Sequence, residues 1–504
     1  MYYIIPVKEQ ELECVIGIYE NGKKMEELQA SIGQPADFFA WIDISMYQEG
    51  RLELKLEKGE CDLSCIRKAK EKPERRGGHP FFHYTPDAGW LNDPNGLIYD
   101  DETGEYHFCF QHNPYGTKWG NMTWTHVKTR DFLSYSEETK IFRPSDEGPV
   151  FSGTALKVEN NFYYFYTIGA GNSFWSVEHL KGNIQKMARF DRKTGTITGT
   201  WELEVDAGSP ETRDPKVFYK NGFFYLILYC MENEFRVYSS ENLTQWREIQ
   251  RITEPGMWEC PDIFFLKDKQ GEEFCVFWSA DGFYLVGRWT AEGFVKTEGR
   301  KTAYQCNMEQ ITRYYAAQTF ANNKSVVQMA WIQSEHRTGK CYTGELSLPV
   351  QLILDTKEQE HFLRFYPLRE LEKLRKKQTG FDLQAQKLDF NKINNVCSSL
   401  EQGYELEIQN DDRTGQLEFD IGNTNLYIDF TGQKLKCGEK EFQFPVLENQ
   451  IRIYADNDII EIFSGNGSVY CTEKTENSSV KLKSNTCGRG SIFVYELKKL
   501  SLNI

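Results

Sequence analysis

Three short motifs, each with an acidic residue and a proline, stand at the start of hairpin-like segments and constrain this chain most. The motifs are Trp90-Leu91-Asn92-Asp93-Pro94-Asn95-Gly96, Arg213-Asp214-Pro215 and Trp258-Glu259-Cys260-Pro261-Asp262. Each is followed by two strand-like apolar runs that are separated by a glycine-containing turn. Because equivalent positions of repeated units can face one centre, we expect the three carboxylates to converge.

The segment from about residue 79 to 355 repeats this strand–turn–strand pattern. Its landmarks recur at intervals of 45 to 62 residues and are Asp93, Ser152, Asp214, Glu259 and Gln318. Units of roughly 40–50 residues with several strands are typical of propeller blades, and insertions lengthen some of them. Five landmarks predict a five-bladed β-propeller.

The flanking segments predict further β-structure. Residues 1–75 combine short alternating apolar and polar runs with a charged linker, which indicates a small N-terminal β-rich domain. The propeller is assigned to residues 76–366 and a short linker helix to 367–384, where three leucines lie on a charged background before Gly380. Alternating strands over 385–504 suit a C-terminal antiparallel β-sandwich. The predicted fold class is all-β.

Charge and cysteine usage exclude several classes of function. The net charge of −15 argues against partners that need a basic face, namely nucleic acid and anionic membranes. No apolar stretch approaches the ~20 residues of a membrane span, and the N-terminus has no signal-peptide pattern. The 13 cysteines are scattered without a paired framework, as in buried free thiols of a reducing compartment. We therefore expect a cytoplasmic protein.

No metal or cofactor is expected. Cys61 and Cys65 form a lone pair without the second pair that a zinc site needs, and the eight histidines include no His-Glu-x-x-His motif. Converging carboxylates suit cleavage of a glycosidic bond, which needs no ion. A retaining glycosidase places two carboxyl groups about 5–5.5 Å apart, one ionised and one protonated. Asp93 lies between two asparagines that can donate hydrogen bonds, whereas Glu259 lies between poorly solvating neighbours.

These residues resemble glycoside hydrolase family 32, the fructosidase family of invertases, inulinases and levanases. The resemblance covers about residues 79–504 and adds further motifs in the expected order. They are QHNP (111–114), WGNMTW (119–124), FSGTA (151–155), RDPKVF (213–218), LSLP (346–349) and DNDIIEIFSGNG (456–467). The resemblance implies a five-bladed β-propeller followed by a β-sandwich, in agreement with the repeat pattern.

The resemblance also implies roles for individual residues. Asp93 corresponds to the nucleophile, Glu259 to the general acid/base and Asp214 to the residue that binds fructosyl hydroxyls in the transition state. Further positions match the lining of the fructosyl pocket, namely Asn92, Gln111, Trp119, Phe151, Ser152, Arg213, Cys260 and Trp331.

One departure concerns substrate preference. Many members carry an Asp-rich motif before Tyr-Ala, and here the segment 308–316 has Arg313 where an Asp is common. We expect Arg313 to lie near the pocket mouth, where it either donates to a sugar hydroxyl of the substrate or pairs with a nearby acid and closes the rim. Preference among sucrose, inulin-type and levan-type chains therefore stays open. Residues 1–75 fall outside the resemblance. Two roles are considered for them: a carbohydrate-binding or oligomerisation module, or a cap that packs on the propeller.

The function predicted from the sequence is a retaining exo-β-fructosidase. It would hydrolyse terminal β-D-fructofuranosides, such as sucrose and short fructo-oligosaccharides, through a covalent fructosyl-enzyme intermediate. A fructosyltransferase that uses the same intermediate and a non-catalytic fructan-binding protein stay as alternatives. An arabinan or xylan hydrolase is disfavoured by the motifs around Asp93 and Glu259. The expected partner is a small saccharide, and a homo-oligomer through the N-terminal or sandwich domain is left open.

Overall fold

The computed structural model describes residues 1–47, 51–75, 77–170, 182–303, 313–337, 339–385, 387–400, 403–445 and 448–502. Almost all regular structure in these residues is β, as the sequence predicts. Runs rich in Val, Ile, Phe and Tyr alternate with glycine turns, and such side chains fit the pleated, half-buried surface of a sheet.

The N-terminal module consists of two three-stranded sheets, with orders β4-β1-β6 and β3-β2-β5. Its core is shared with Tyr115, Cys341 and Tyr342, which come from later in the chain. The module is therefore packed onto the body of the protein. Its strands are β1 (Tyr2–Val7), β2 (Glu13–Glu20), β3 (Lys23–Ser31), β4 (Phe38–Asp43), β5 (Leu52–Lys58) and β6 (Arg67–Ala69), with a 3-10 helix at Leu63–Cys65.

Five sheets follow in chain order within the described residues. The first contains β7 (Gly89–Asp100), β8 (Glu105–Asn113), β9 (Thr123–Thr129), β10 (Ser134–Tyr135) and β11 (Thr139–Phe142). The second contains β12 (Val150–Val158), β13 (Asn161–Ile168), β14 (Ile184–Asp191) and β15 (Thr196–Glu202). The third contains β16 (Arg213–Lys220), β17 (Phe223–Met231), β18 (Glu234–Ser240) and β19 (Arg247–Thr253).

The fourth sheet contains β20 (Asp262–Lys267), β21 (Glu273–Trp278), β22 (Phe283–Thr290), β23 (Gly293–Lys296) and β24 (Lys301–Thr302). The fifth contains β25 (Tyr314–Thr319), β26 (Val327–Ile332), β28 (Glu345–Leu346), β29 (Val350–Lys357) and β30 (Glu360–Pro367). The short strand β27 (Tyr342–Thr343) leaves the fifth sheet and pairs in parallel with β7 of the first.

The first strand of each sheet contacts the first strand of the next, and β25 returns to β7. Polar side chains and backbone groups connect these inner strands across the sheet boundaries. The bonds include Gly153 N to Asn95 Oδ1 (3.0 Å), Gln318 Nε2 to Gly153 O (3.0 Å), Thr319 N to Asp262 Oδ2 (2.7 Å) and Ala321 N to Leu97 O (2.9 Å). The inner strands therefore surround one common centre.

The inner strands are bulged near the motifs that the sequence singled out. A bulge adds an unpaired residue, bends its strand and redirects the side chains there. The register shifts fall between Leu91 and Pro94, Phe151 and Gly153, Arg213 and Lys216, and Tyr315 and Gln318. This repeated irregularity turns side chains from different sheets towards the same space.

The linker-helix prediction for 367–384 is wrong over most of its length. The segment forms a 3-10 helix at Arg369–Leu374 and then strand β31 (Arg375–Asp382), which pairs with the sandwich. Leu368, Leu371 and Leu374 are spaced by three, the period of a 3-10 helix rather than an α-helix. The one α-helix of the described residues, α1 (Phe390–Ser398), was not predicted, and the side chain of Asp389 caps its N-terminus.

The C-terminal part consists of two antiparallel sheets, with orders β31-β41-β32-β37-β38-β39 and β36-β35-β34-β33-β40. Their strands are β32 (Tyr404–Asn410), β33 (Gln416–Ile421), β34 (Thr424–Asp429), β35 (Lys434–Cys437), β36 (Lys440–Gln443), β37 (Gln450–Asp456), β38 (Ile459–Ser464), β39 (Tyr470–Lys474), β40 (Val480–Asn485) and β41 (Gly490–Leu497). A last strand, β42 (Ser501–Leu502), returns to the first sheet and pairs in parallel with β10.

A buried polar cluster joins this C-terminal part to the residues that precede β7. His83 Nδ1 lies 2.9 Å from Asp456 Oδ2, and His83 Nε2 lies 3.1 Å from Glu461 Oε1. The carboxylate of Asp456 also accepts the backbone N–H groups of Phe81, Phe82 and His83. Burial opposes the charge on His83, but the hydrogen bonds to the two carboxylates outweigh it and raise the pKa of His83 to about 9.

Candidate active site

A pocket of about 230 Å³ opens where the bulged inner strands meet. Ten of the predicted site residues line it, namely Asn92, Asp93, Gln111, Trp119, Phe151, Ser152, Arg213, Asp214, Glu259 and Trp331, together with Trp90 and Tyr315. The predicted convergence of the three carboxylates is therefore present in the structure.

Asp93 is held by hydrogen-bond donors from two sheets. Ser152 Oγ donates to Asp93 Oδ2 at 2.6 Å, and the indole N–H of Trp90 orients the neighbouring Asn92 through Oδ1 at 2.8 Å. Burial raises the pKa of Asp93, the hydroxyl of Ser152 and the amide of Asn92 lower it, and the charge of Glu259 adds to the rise. The donors fix one oxygen of Asp93, while part of the side chain stays exposed.

Glu259 is clamped from both sides. Nε and Nη2 of Arg213 donate to its Oε2 at 3.2 and 3.0 Å, and the hydroxyl of Tyr315 donates to its Oε1 at 2.7 Å. Arg213 itself lies over the ring of Tyr229, 4.8 Å from the ring centroid. The carboxyl group is thus fixed in one orientation. Its side chain is 29% exposed, so the group stays accessible from the pocket.

Asp214 lies deeper than the other two carboxylates. The backbone N–H of Cys260 donates to its Oδ2 at 3.0 Å, and Arg213 Nε lies 3.8 Å from the same oxygen. Burial raises the pKa of Asp214 to about 7; the charge of Arg213 works against this rise, and the charge of Glu259 adds to it. A carboxyl group so poised exchanges its proton near neutral pH.

Cys260 does not line the pocket surface, but its thiol lies behind the pocket and contacts the carboxylates of Asp93 and Asp214. Its Sγ lies 3.7 Å from Asp93 Oδ2 and 3.6 Å from Asp214 Oδ2. Burial, followed by the charges of these neighbouring carboxylates, raises the pKa of the thiol well above its ordinary value. A neutral S–H group there separates two acids without adding a charge.

The backbone around these side chains is strained. Asp214, Glu259, Cys260 and Ala316 have φ angles of 60°, 22°, 42° and 50°, a region that side chains other than glycine rarely adopt. Such residues cluster at functional sites, where the surrounding fold holds them in place. Here the bulges and the hydrogen bonds between sheets supply that constraint.

Arg313 pairs with an acid, the second of the two alternatives that the sequence left open, and does not contact the pocket. Its Nε donates to Glu473 Oε1 of the C-terminal part at 2.8 Å, its Nη1 donates to Gln333 O at 3.0 Å, and it is not among the pocket-lining residues. The preceding motif residues 308–312 lie outside the described residues. Conversely, sequence reasoning missed Tyr315, although it belongs to the Tyr-Tyr-Ala segment beside Arg313.

A family model described as the glycosyl hydrolases family 32 N-terminal domain matches residues 83–367, more than half of the chain. The chain belongs to glycosyl hydrolase family 32. It is thus a glycoside hydrolase of the fructosidase family, and the resemblance noted in the sequence motifs is confirmed.

Curated relatives of this family 32 enzyme carry several activities in their names. A levanase of Bacillus subtilis (strain 168) is 33% identical over 198 residues, which are 37% of this chain and only 29% of the levanase. A sucrose-6-phosphate hydrolase of the same strain is 30% identical over 340 residues, 58% of this chain and 66% of that protein. A fructan beta-fructosidase of Streptococcus mutans is 25% identical over 77% of this chain and 30% of its own length.

Solved structures share the fold of this family 32 enzyme at low identity. The exo-inulinase from Aspergillus awamori superposes with a TM-score of 0.67 at 16% identity, covering 86% of this chain and all of that chain. The sucrose-6-phosphate hydrolase from Lactobacillus gasseri superposes with a TM-score of 0.65 at 18% identity, covering 84% and 93%. The β-propeller and β-sandwich architecture of the family is therefore shared.

The part of the chain that the structure describes shows neither a metal centre nor a membrane-spanning helix. Among the residues that the structure describes, no cluster of three His, Cys, Asp or Glu side chains could hold a metal ion. Within the same residues, no helix is long and apolar enough to cross a membrane.

Proposed function

We propose that this protein is a retaining exo-β-fructosidase that releases terminal fructose from β-D-fructofuranosides such as sucrose and short fructo-oligosaccharides. The observation that carries the proposal is the meeting of Asp93, Asp214 and Glu259 in one pocket. At about 230 Å³ the pocket is smaller than the roughly 300–1,000 Å³ of drug-sized sites, and it suits a single terminal sugar unit.

In the first step, an oxygen of Asp93 attacks the anomeric carbon of the bound fructosyl unit. The glycosidic C–O bond breaks as Glu259, in its protonated form, transfers its proton to the leaving oxygen. The product of this step is a fructosyl ester of Asp93. The donors on the other Asp93 oxygen, from Ser152, favour the ionised nucleophile.

In the second step, ionised Glu259 takes a proton from water, and the water oxygen bonds to the same carbon. The ester bond to Asp93 breaks, fructose leaves, and both carboxyl groups return to their starting states. Arg213 and Tyr315 hold Glu259 in place for both proton transfers. Asp214 accepts hydrogen bonds from fructosyl hydroxyls, which strengthen as positive charge develops on the ring.

Three further expectations accompany this function. The five sheets are proposed to be the blades of one closed propeller, because their inner strands contact each other in a ring. A reducing compartment such as the cytoplasm suits the 12 free cysteines in the described residues. A preference for short substrates is expected there, because polymeric fructans do not cross membranes intact.

The test is a hydrolysis series with sucrose, inulobiose, levanbiose, inulin and levan, with products resolved over time. NMR of early products should show β-fructofuranose before mutarotation, because two inversions retain configuration. Initial α-anomer would overturn the double displacement. Longer oligosaccharides at high sucrose concentration would indicate transfer rather than hydrolysis, and absence of any turnover would favour a binding protein.

Replacing either central carboxylate gives the matched chemical test. Asp93→Ala and Glu259→Ala should each lower kcat on sucrose by at least 10²–10⁴-fold with an unchanged melting transition. Azide should partly restore turnover in Glu259→Ala, because it needs no base to attack the intermediate. A Glu259→Ala variant with the wild-type rate would remove this residue from the mechanism.

A further inference from the structure

A second cavity, of about 420 Å³, adjoins the catalytic pocket and belongs mainly to the N-terminal module. The two cavities share Trp119, whose side chain is 50% exposed at the rim between them. The far wall is formed by the β1–β2 connection, with Glu9, Glu11 and Leu12. A substrate that leaves the catalytic pocket past Trp119 therefore enters a space whose opposite side is formed by residues outside the family 32 match.

The N-terminal module is fixed against the catalytic part where it forms this space. The backbone N–H of Gln29 donates to Asn121 Oδ1 at 2.8 Å, and Asn121 Nδ2 donates back to Gln29 O at 2.9 Å. Glu9 Oε2 lies 2.9 Å from His336 Nε2, and its other oxygen accepts the hydroxyl of Thr117. Because several separate contacts hold the module, the cavity is already formed before any ligand arrives.

The lining indicates the chemical class of the ligand. Trp119 and Leu12 offer apolar surface, and Leu12 is 86% exposed, so burial against a ligand would remove it from water. The lining carries three carboxylates, on Glu9, Glu11 and Glu13, and one lysine, Lys118. Lys8 pairs with Glu11 at 3.0 Å, and His336 lies 2.9 Å from Glu9. Within the described residues, Glu13 is therefore the one of the three without an ion pair. Carboxylates accept hydrogen bonds from hydroxyl groups but repel anions. The lining thus combines an aromatic and aliphatic surface with hydrogen-bond acceptors at its edge. Such a surface suits uncharged sugar rings.

We propose that this cavity is an outer subsite for the sugar units beyond the second one of an uncharged fructo-oligosaccharide. The inference rests on the proposed function, since the catalytic pocket must hold the terminal unit. The remainder of the chain leaves over Trp119 and lies between Leu12 and the acidic side chains. Chain-length preference is then set by the N-terminal module rather than by the catalytic residues.

The experiment compares kcat/KM for sucrose and for an inulin-type tetrasaccharide in three variants. Ser31→Trp fills the cavity from strand β3, because aromatic side chains are compatible with a strand backbone. Leu12→Ala removes the exposed apolar surface of the cavity. Met46→Ala is the matched control, because Met46 is a comparably exposed residue of the same module, 71% exposed, that does not line the cavity. Melting transitions verify that each variant is folded.

We expect Ser31→Trp to lower kcat/KM for the tetrasaccharide about tenfold and Leu12→Ala about threefold, with kcat/KM for sucrose within twofold. Calorimetry with the inactive Glu259→Gln variant should show the same loss of tetrasaccharide affinity when Ser31→Trp is added. Sucrose 6-phosphate should be a poorer substrate than sucrose, because its phosphate would extend from the second sugar unit towards these carboxylates, which repel it.

The possible outcomes distinguish failure of the outer subsite from failure of the proposed function. If wild-type enzyme releases fructose but the tetrasaccharide-to-sucrose ratio is the same in all variants, the outer subsite is wrong. If sucrose 6-phosphate is the better substrate, the assignment of an uncharged ligand is wrong. If no β-fructoside releases fructose with the wild-type enzyme, the proposed function itself fails.

Discussion

The hydroxyl of Tyr315 donates a hydrogen bond to Oε1 of Glu259 at 2.7 Å and so connects the fifth sheet to the segment that leads into the fourth. Arg213, from the third sheet, holds the other oxygen of Glu259. The proposed acid/base is thus oriented by residues 46 and 56 positions away in the chain. Its geometry depends on how three sheets are arranged, and not on its own strand alone.

Tyr315→Phe should lower kcat on sucrose by roughly 10–100-fold, because a hydrogen bond to a charged group contributes about 1.5–3 kcal/mol. Steady-state kinetics provide the measurement. Tyr219→Phe, at a tyrosine that is 55% exposed, serves as the control and should leave kcat unchanged. Equal kcat in Tyr315→Phe and wild type would show that Arg213 alone is enough to position Glu259.

Asp214→Asn should inactivate the enzyme but stabilise its fold above neutral pH. The folded pKa of about 7 lies above the unfolded value of 3.8, so the folded state binds more protons between these values. The free energy of unfolding contributed by Asp214 therefore falls as pH rises from about 4 to 7. Above pH 7 the loss is on the order of 2–4 kcal/mol, and asparagine, which tolerates a positive φ, avoids it.

Urea titrations of wild type and Asp214→Asn at pH 5, 6, 7 and 8 measure this difference. We expect the stability advantage of the variant to grow with pH and to level off above about pH 7. An advantage that is constant over this range would mean that the charge of Asp214 carries no cost in the folded protein.

His83→Gln should remove a pH-dependent part of the stability. Because the folded pKa of His83 is about 9, above the ordinary 6.5, its contribution is complete below pH 6.5 and is lost as pH rises through about 9. The full contribution is about 3 kcal/mol. Melting temperatures of the wild type should therefore fall between pH 6.5 and 9, and those of His83→Gln should change less. Parallel curves for both proteins would contradict the assignment.

Arg313→Gln should leave substrate preference unchanged. Arg313 pairs with Glu473, which keeps a second partner in Lys440 at 2.8 Å, so the substitution leaves no unpaired carboxylate. Because Arg313 is partly exposed, the loss of stability should stay within about 1 kcal/mol. The measurement is the ratio of kcat/KM for sucrose and a fructose–fructose disaccharide. A ratio that changes more than threefold would place Arg313 near the bound substrate after all.

The motif residues could be predicted from the sequence because their chemistry is local. An acid before or near a proline at the start of a hairpin carries its own signal, and Asp93, Asp214 and Glu259 share it. The repeat of such segments then indicates that they face a common centre. The β-class follows from alternating apolar runs, which need no knowledge of the partner strands.

The remaining features depend on contacts between distant residues. Arg313 and Glu473 are 160 positions apart, and nothing near Arg313 in the sequence indicates that a sandwich strand supplies its partner. The hydroxyl of Tyr315 reaches Glu259 next to a bulge in β25, where the register shifts between Tyr315 and Gln318. The spacing of Leu368, Leu371 and Leu374 indicates a helix, but it does not indicate that the helix ends at Leu374 and is followed by a strand of the sandwich.

The parallel pairing of β42 with β10 has a dynamic consequence. The backbone N–H of Leu500 donates to Phe81 O at 2.7 Å, and that of Ser501 donates to Leu133 O at 2.9 Å, so the segment after β41 continues the first sheet. Swinging the C-terminal part away would break these bonds together with the buried His83 cluster and expose the edge of a strand. We therefore expect that hinge opening between the two parts is not needed to admit substrate, and that turnover is insensitive to a cross-link placed across this boundary.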